Sequence, residues 1–290
     1  MELEFLEDLL GKQLKALSRW KQSAFLISCC EVMYPNYVLF SMDTNWGKPR
    51  LLRRCIDAGW SWIAGSEPPK SPEWLYRQSE RQMPDIEEFD SIYAPAAVDA
   101  SQGCMNLASL MVKFNNKKPI ETASVSYESV LTYAQQLATI NPESPADEKR
   151  VRRHALVQKE LLRQKKAIAE LQTLSDDQTK GIQLLRSMWA GLNVGSLGIP
   201  MNPPEAMGYD ITKEELERFI TNLWIRSYRD RKRIRDFFEQ ELNVRIDLRR
   251  SGLLFSDTTG EISPIEFHRR TQDDSLVRLD IYRWMHSLSR

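Results

Sequence analysis

QSAFLISCCEVMYPNY, residues 22–37, is the stretch on which the reading of this chain turns. Its apolar run from Gln22 to Met33 has helical character, and Tyr34-Pro35 follows directly. A proline ring removes a ladder hydrogen bond and crowds the preceding turn, so the spacing predicts a helix that stops there. Asn36 and Tyr37, just beyond, are placed to satisfy carbonyls that a helix end leaves without partners. Consecutive helical residues point about 100° apart, so Cys29 and Cys30 are expected to face different neighbours and to serve packing.

Helical periodicity extends outward on both sides. Leu3, Leu6, Leu10, Leu14 and Leu17 line an opening helix, and Leu51, Leu52, Cys55, Ile56, Trp60 and Ile63 a third, entered after a Gly47-Lys48-Pro49 turn. Pro68, Pro69 and Pro72 read as a break. Asp85 and Glu88 have capping-box spacing for a short helix. Val98, Met105, Ala108, Met111 and Phe114 make another stripe, Ile120 to Leu137 a further helix, and Ala146 to Leu174 a long, highly charged segment. Ser175 and Gln178 are spaced to cap a last helix.

Between Gly191 and Gly208 the composition changes. Glycines and prolines crowd this stretch, which reads as a linker. AGLNVGSLGIP within it is not a phosphate-binding loop, because no lysine follows and a helix precedes it. Beyond, Thr212 and Glu215 open a helix to about residue 242, and Asn243 to Arg249 alternates as a strand does. Leu253–Phe255 and Ile262–Phe267 flank SDTTGE as a hairpin, and a closing helix runs from Asp273. The expected fold is therefore mainly α. A multi-helix N-terminal domain over 1–199 is followed by a linker over 200–208 and a small α+β C-terminal module over 209–290.

Length and charge bound the function. The chain has 290 residues, enough for one large domain or two ordinary ones, and 40 basic residues balance 40 acidic ones. No global field then attracts nucleic acid or membrane, and any charged partner must be read by a local patch. MELEFLEDLLGKQ lacks the basic start and uninterrupted apolar run of a signal peptide. No stretch reaches the roughly 18 apolar residues of a bilayer span. A cytoplasmic protein without a membrane partner is expected. Cys29, Cys30, Cys55 and Cys104 sit in apolar-periodic segments, and His154, His268 and His286 are far apart, so no metal and no cofactor are expected.

WKQSAFLISCCEVMYPNY, LLRRCIDAGW with Arg53, Arg54, Asp57 and Trp60, APAAVDA around Pro95 and Asp99, TASVSYESVLTYA and the ending near GSLGI form a set. On these blocks the chain resembles the YjaG-like family of bacterial proteins over about residues 1–199. The resemblance implies an all-helical domain and brings no activity or catalytic residues. Helical families of this kind are associated with toxin systems as immunity proteins. The tail lies outside the family's usual domain.

Glu31, Arg53, Arg54, Asp57 and Asp99 fall inside otherwise apolar helices, where lone charges are costly. Glu31 and Asp99 set against Arg53 or Arg54 would form an inter-helix ion network; the alternative is a polar pocket with a carboxylate as acid or base. The segment 226–250 is rich in arginine and interleaved with aromatics, so Arg229, Arg231 and Arg233 could lie along a phosphate backbone or a protein surface. The expected function is non-enzymatic binding of a protein partner, immunity-type inhibition of a toxin being one form. Tyr34, Asn36, Tyr37, Trp46 and Arg54 are the contact candidates on the first domain, and Arg229, Arg231 and Arg233 on the second. Nucleic-acid binding through the tail is the alternative, and a carboxylate-based enzyme the second alternative.

Overall fold

The computed structural model describes residues 6–66, 70–138, 145–174, 177–190 and 194–201, and three strands between 245 and 262. The chain divides into two compact units, Met1–Pro203 and Pro204–Arg290.

The first unit is a helical bundle. A π-helical turn, Glu7–Gly11, runs into α1, Lys12–Lys15. Then come α2 (Arg19–Thr44), α3 (Pro49–Ile63), α4 (Pro72–Arg81) and α5 (Ala94–Val112). The described helices end with α6 (Lys118–Ala138), α7 (Pro145–Arg152), α8 (Ala155–Thr173) and α9 (Gln178–Ala190). Pro49 and Pro72 open α3 and α4, where a missing N–H is harmless and the fixed φ already suits a helix. Pro72 thus starts a helix that the sequence reading passed over as a break. The Ser71 hydroxyl caps it by accepting from the Trp74 N–H at 3.2 Å. Asp85 accepts from the Glu87 N–H, yet supports only one 3₁₀ turn, Ile86–Glu88, in place of the expected helix. The charged segment 146–174 is two helices, divided where His154 Nδ1 accepts from the Leu156 N–H. Asp177 caps α9 through its Oδ1 and the Lys180 N–H at 3.2 Å; Ser175 lies outside the described residues.

The main correction concerns Pro35. α2 does not stop there but continues to Thr44 and ends at Asn45, whose left-handed backbone (φ 54°, ψ 31°) closes it. This helix is the hub of the bundle, in contact with α3, α5, α6, α8 and α9. Phe25, Ile27, Met33 and Tyr37 are completely buried on it. Each such side chain contributes about 2 kcal/mol, together more than the roughly 3 kcal/mol that an interior proline costs. Among the described helices α2 alone is long and apolar enough to cross a membrane, and 89% of that window is buried inside the bundle.

Pro35 removes the ladder donor of the Glu31 carbonyl, and the far end of the unit packs on α2 one residue further along. The Ser196 N–H donates to the Val32 carbonyl at 2.9 Å. Ser196 belongs to a tight turn in which the Gly195 N–H donates to the Ile199 carbonyl at 2.7 Å. A β-carbon on Gly195 would stand 2.6 Å from the Val32 oxygen, so only glycine lets the turn seat against α2. Ser196, Leu197 and Ile199 are buried. Residues 194–201 of the glycine- and proline-rich stretch thus pack on the bundle.

Close approach recurs where α5 meets α2. Ala97, Ala100 and Gly103 keep that face narrow, and a β-carbon on Gly103 would lie 2.6 Å from the Met33 methyl. In the second unit, β1 (Arg245–Arg249), β2 (Gly252–Asp257) and β3 (Gly260–Ile262) form an antiparallel meander in the order β1-β2-β3. Arg249 pairs with Gly252, and Asp257 with Gly260. The helices expected at 212–242 and from 273 onward lie outside the described residues.

Candidate functional site

The expected ion network exists around Glu31, at the interface of α2 and α3. Arg53 grips the carboxylate with both guanidinium branches, Nη1 to Oε2 at 2.7 Å and Nη2 to Oε1 at 2.8 Å. The Trp60 indole N–H adds a third donor to Oε1 at 2.7 Å. Arg53 Nε also donates to Asp57 Oδ1, one turn along α3, at 3.0 Å. The guanidinium lies 5.4 Å from the centre of the Tyr34 ring. Burial works to lower the Arg53 pKa, but the hydrogen bonds and charge of Glu31, with Asp57, hold it above its ordinary value. Fork-on-fork pairing of this kind fixes orientation as well as charge. Glu31 is 9% exposed, and a carboxylate so held is an anchor between two helices.

The remaining candidates are dispersed. Tyr34, Asn36 and Tyr37 are interior residues, 6%, 0% and 0% exposed, because α2 carries them through the centre of the bundle. They offer no surface to a partner. Asn36 Nδ2 donates to Ser196 Oγ at 3.0 Å, binding the returning turn and not the orphan carbonyls of a helix end. The Tyr37 hydroxyl donates to Gln82 Oε1 at 3.2 Å. Trp46 is half-buried in an aromatic cluster, its ring centre 6.0 Å from Phe40 and 5.4 Å from Phe89. Arg54 is half-buried on α3 and already engaged. Arg229, Arg231 and Arg233 lie outside the described residues.

Asp99 does not join Glu31. It sits half-buried on α5 and faces α6, where burial, and then the charge of Glu128, lift its carboxyl to about 7. The Ser129 hydroxyl pulls in the opposite direction. Glu128 itself accepts from the Ser124 hydroxyl at 3.0 Å.

A second buried carboxylate escaped the sequence reading. Glu160 on α8 is 2% exposed. Its Oε1 accepts from Ser126 Oγ (2.7 Å), Arg163 Nη2 (2.6 Å) and Gln164 Nε2 (2.8 Å), and its Oε2 from Arg163 Nε (2.7 Å). Burial works to lower the Arg163 pKa, and Glu160 more than offsets it. The signal was the spacing of Val157, Glu160, Gln164, Ala167, Ile168 and Leu171, one face of a helix on which two polar residues replace apolar ones.

The four thiols are free and buried. Burial raises those of Cys29 and Cys30. The vicinal pair diverges as helix geometry requires. Cys29 meets Arg163, whose Nη2 stands 3.6 Å from its sulfur, and Cys30 meets Cys104 on α5.

Comparison with known proteins agrees with this architecture. Residues 10–200 match the family described as "Protein of unknown function (DUF416)". The chain is 28% identical to the uncharacterised protein YjaG of Escherichia coli over 47% of its own length and 68% of the relative. Against YjaG of Salmonella typhimurium it is 26% identical over 66% of its length and 94% of the relative. The crystal structure of a DUF416 family protein from Shewanella baltica superposes with a TM-score of 0.59 at 20% identity, covering 65% of this chain and 97% of that one. The chain thus belongs, through the helical bundle that ends in the turn beneath Pro35, to the DUF416 family.

Proposed function

We propose that this protein works by binding a partner protein and not by catalysis, with immunity-type blocking of a toxin as one form of that binding. The observation that carries the reading is the state of the two buried carboxylates. Glu31 and Glu160 are each held by an arginine and by further donors, at 2.6–2.8 Å. Oxygens so fully engaged are poorly placed to accept a substrate proton, and the pairs act as rivets between helices. The α+β character of the C-terminal module and a cytoplasmic location belong to the same proposal.

The test is recovery of the tagged full chain from its native host, followed by size exclusion. A protein partner in stoichiometric ratio, retained by Asp99→Asn, is the expected result. Recovery of the chain alone counts against the reading. A second reading, nucleic-acid binding through the tail, is supported by nine basic residues against five acidic ones over 226–250. It predicts binding that weakens steeply with salt and with Arg229→Ala, Arg231→Ala and Arg233→Ala together.

A further inference from the structure

The outer surface of α7 and α8 carries charge of one sign. Between residues 146 and 174 the exposed charged side chains are Lys149, Arg150, Arg153, Lys159, Lys165 and Lys166, and none is acidic. The carboxylates of the same segment are withdrawn from this surface. Glu160 is buried against Arg163, and Asp147, Glu148 and Glu170 are half-buried. Lys166 reaches Glu170 at a long 3.7 Å. The other five exposed cations make no ion pair among the described residues.

A helix face that serves only to meet water intersperses the two signs, because opposite charges three or four residues apart stabilise a helix and like charges destabilise it. Here the like charges are neighbours. Lys149 and Arg150 lie four and three residues before Arg153, whose N–H donates back to both of their carbonyls. Basic and acidic residues balance over the whole chain, so this concentration is local. A polyanion laid on the face relieves the repulsion that the fold leaves uncompensated.

The cations also stand on a fixed support. Ser126 of α6 donates to Glu160 at 2.7 Å, and Gln164 donates to the Ala123 carbonyl at 3.0 Å, which fastens α8 to α6. Lys159 and Lys166 are then held two turns apart, about 10 Å along the axis, with Lys165 beside the second.

Composition selects among polyanions. No Phe, Tyr or Trp occurs between residues 146 and 174, so the face has no platform on which unpaired bases could stack. Leu162, 66% exposed, is the one large apolar side chain exposed on these two helices. A single leucine is too little to enter a lipid interface or to form the apolar centre of a protein contact. Charge alone is left as the means of recognition, which is how proteins hold duplex phosphates without reading sequence.

We propose that the outer face of α7 and α8 binds the phosphate backbone of double-stranded nucleic acid, independently of sequence. It uses no residue of the arginine-rich segment 226–250 and does not rest on the protein-partner reading above.

Fluorescence anisotropy of labelled DNA and RNA duplexes with the full chain tests it. Five unpaired cations predict a slope of log K against log salt of about −4.5, roughly 0.9 per phosphate contact. Duplexes of unrelated sequence bind alike. In Arg150→Gln/Arg153→Gln/Lys159→Gln/Lys165→Gln the slope shrinks towards about −1 and affinity falls about tenfold or more. Exchanging the same four residues Arg for Lys and Lys for Arg keeps the binding, which separates charge from shape. Lys12→Gln with Lys117→Gln, exposed cations elsewhere on the bundle, leaves it unchanged. Absence of binding to either duplex at about 50 mM salt overturns the proposal. So does unchanged affinity and slope in the four-glutamine variant. Binding lost in Arg229→Ala/Arg231→Ala/Arg233→Ala but kept in that variant assigns the activity to the tail, and tighter binding to phosphatidylglycerol vesicles than to duplex assigns the face to a membrane; either result overturns it too.

Discussion

Replacing Glu160 by Gln isolates the energetics of the buried α8 anchor. The substitution keeps shape and removes one unit of negative charge. Four donors converge on the carboxylate, three on Oε1 and one on Oε2. A glutamine must place its NH₂ at one of those positions. At the Oε2 position it loses the bond from Arg163 Nε and faces that donor across the former 2.7 Å contact. At the Oε1 position it confronts three donors at once. Even the better arrangement forfeits a charge-assisted bond, about 1.5–3 kcal/mol. It also leaves the Arg163 guanidinium, only 16% exposed, without its counter-charge. Breaking a buried pair on one side costs about 3–5 kcal/mol. With a urea dependence of roughly 2 kcal/mol per molar, the unfolding midpoint followed by far-UV circular dichroism falls by about 2 M. The companion variant removes both members, Glu160→Gln with Arg163→Leu. It recovers at least half of the loss, because no buried charge then remains alone. A single variant costing less than about 1 kcal/mol, or a double variant no better than the single, refutes the account of Glu160 as the counter-charge of Arg163.

Three further outcomes follow from other contacts. Glu31→Gln costs less than Glu160→Gln, about 2 kcal/mol by urea unfolding, because Arg53 keeps Asp57 and is 25% exposed. Asp99 makes stability depend on pH. Its carboxyl is lifted from 3.8 to about 7 on folding, so the unfolded chain ionises first and stability falls as pH rises through that window. The loss is about 2 kcal/mol after allowance for its partial exposure, and Asp99→Asn flattens this limb of the urea-midpoint-against-pH curve. Gly195→Ala forces a methyl against the Val32 oxygen and lowers stability by about 2 kcal/mol, read as a drop in melting temperature.

Much of the bundle was legible because periodicity reports burial. The stripes ending in Ile63, Phe114 and Leu137 correspond to α3, α5 and α6. Errors fell where tertiary contacts override local chemistry. Pro35 carries the same local penalty in any helix. Only its position at the centre, among fully buried Phe25, Ile27, Met33 and Tyr37, explains why the helix survives. Pro72 was read as a break because proline marks both interruptions and first turns, and the Ser71 cap before it distinguishes the two. The Glu31–Arg53 pairing was anticipated from charges on apolar faces. Asp99 was assigned to the same network for the same reason, and only the packing of α5 on α6 directs it to Glu128. Tyr34, Asn36 and Tyr37 were placed on a surface because the helix was ended too early; continuing it by three turns puts them indoors. Glu160 was hidden by the high charge around it, which masked a regular inward face.

The bond from Ser196 to Val32 also has a temporal meaning. Chains leave the ribosome from the N-terminus, and α2 is complete long before residue 196 is made. During that interval the Val32 carbonyl lacks its contact with a segment not yet synthesised. The nascent bundle can collapse around α2, but the turn of residues 195–199 seats on it only when it has been made. A pause or truncation before Gly195 would hold the chain in a nearly finished, incompletely latched state. The turn is in this sense the last latch of the helical unit, delivered by the order of translation.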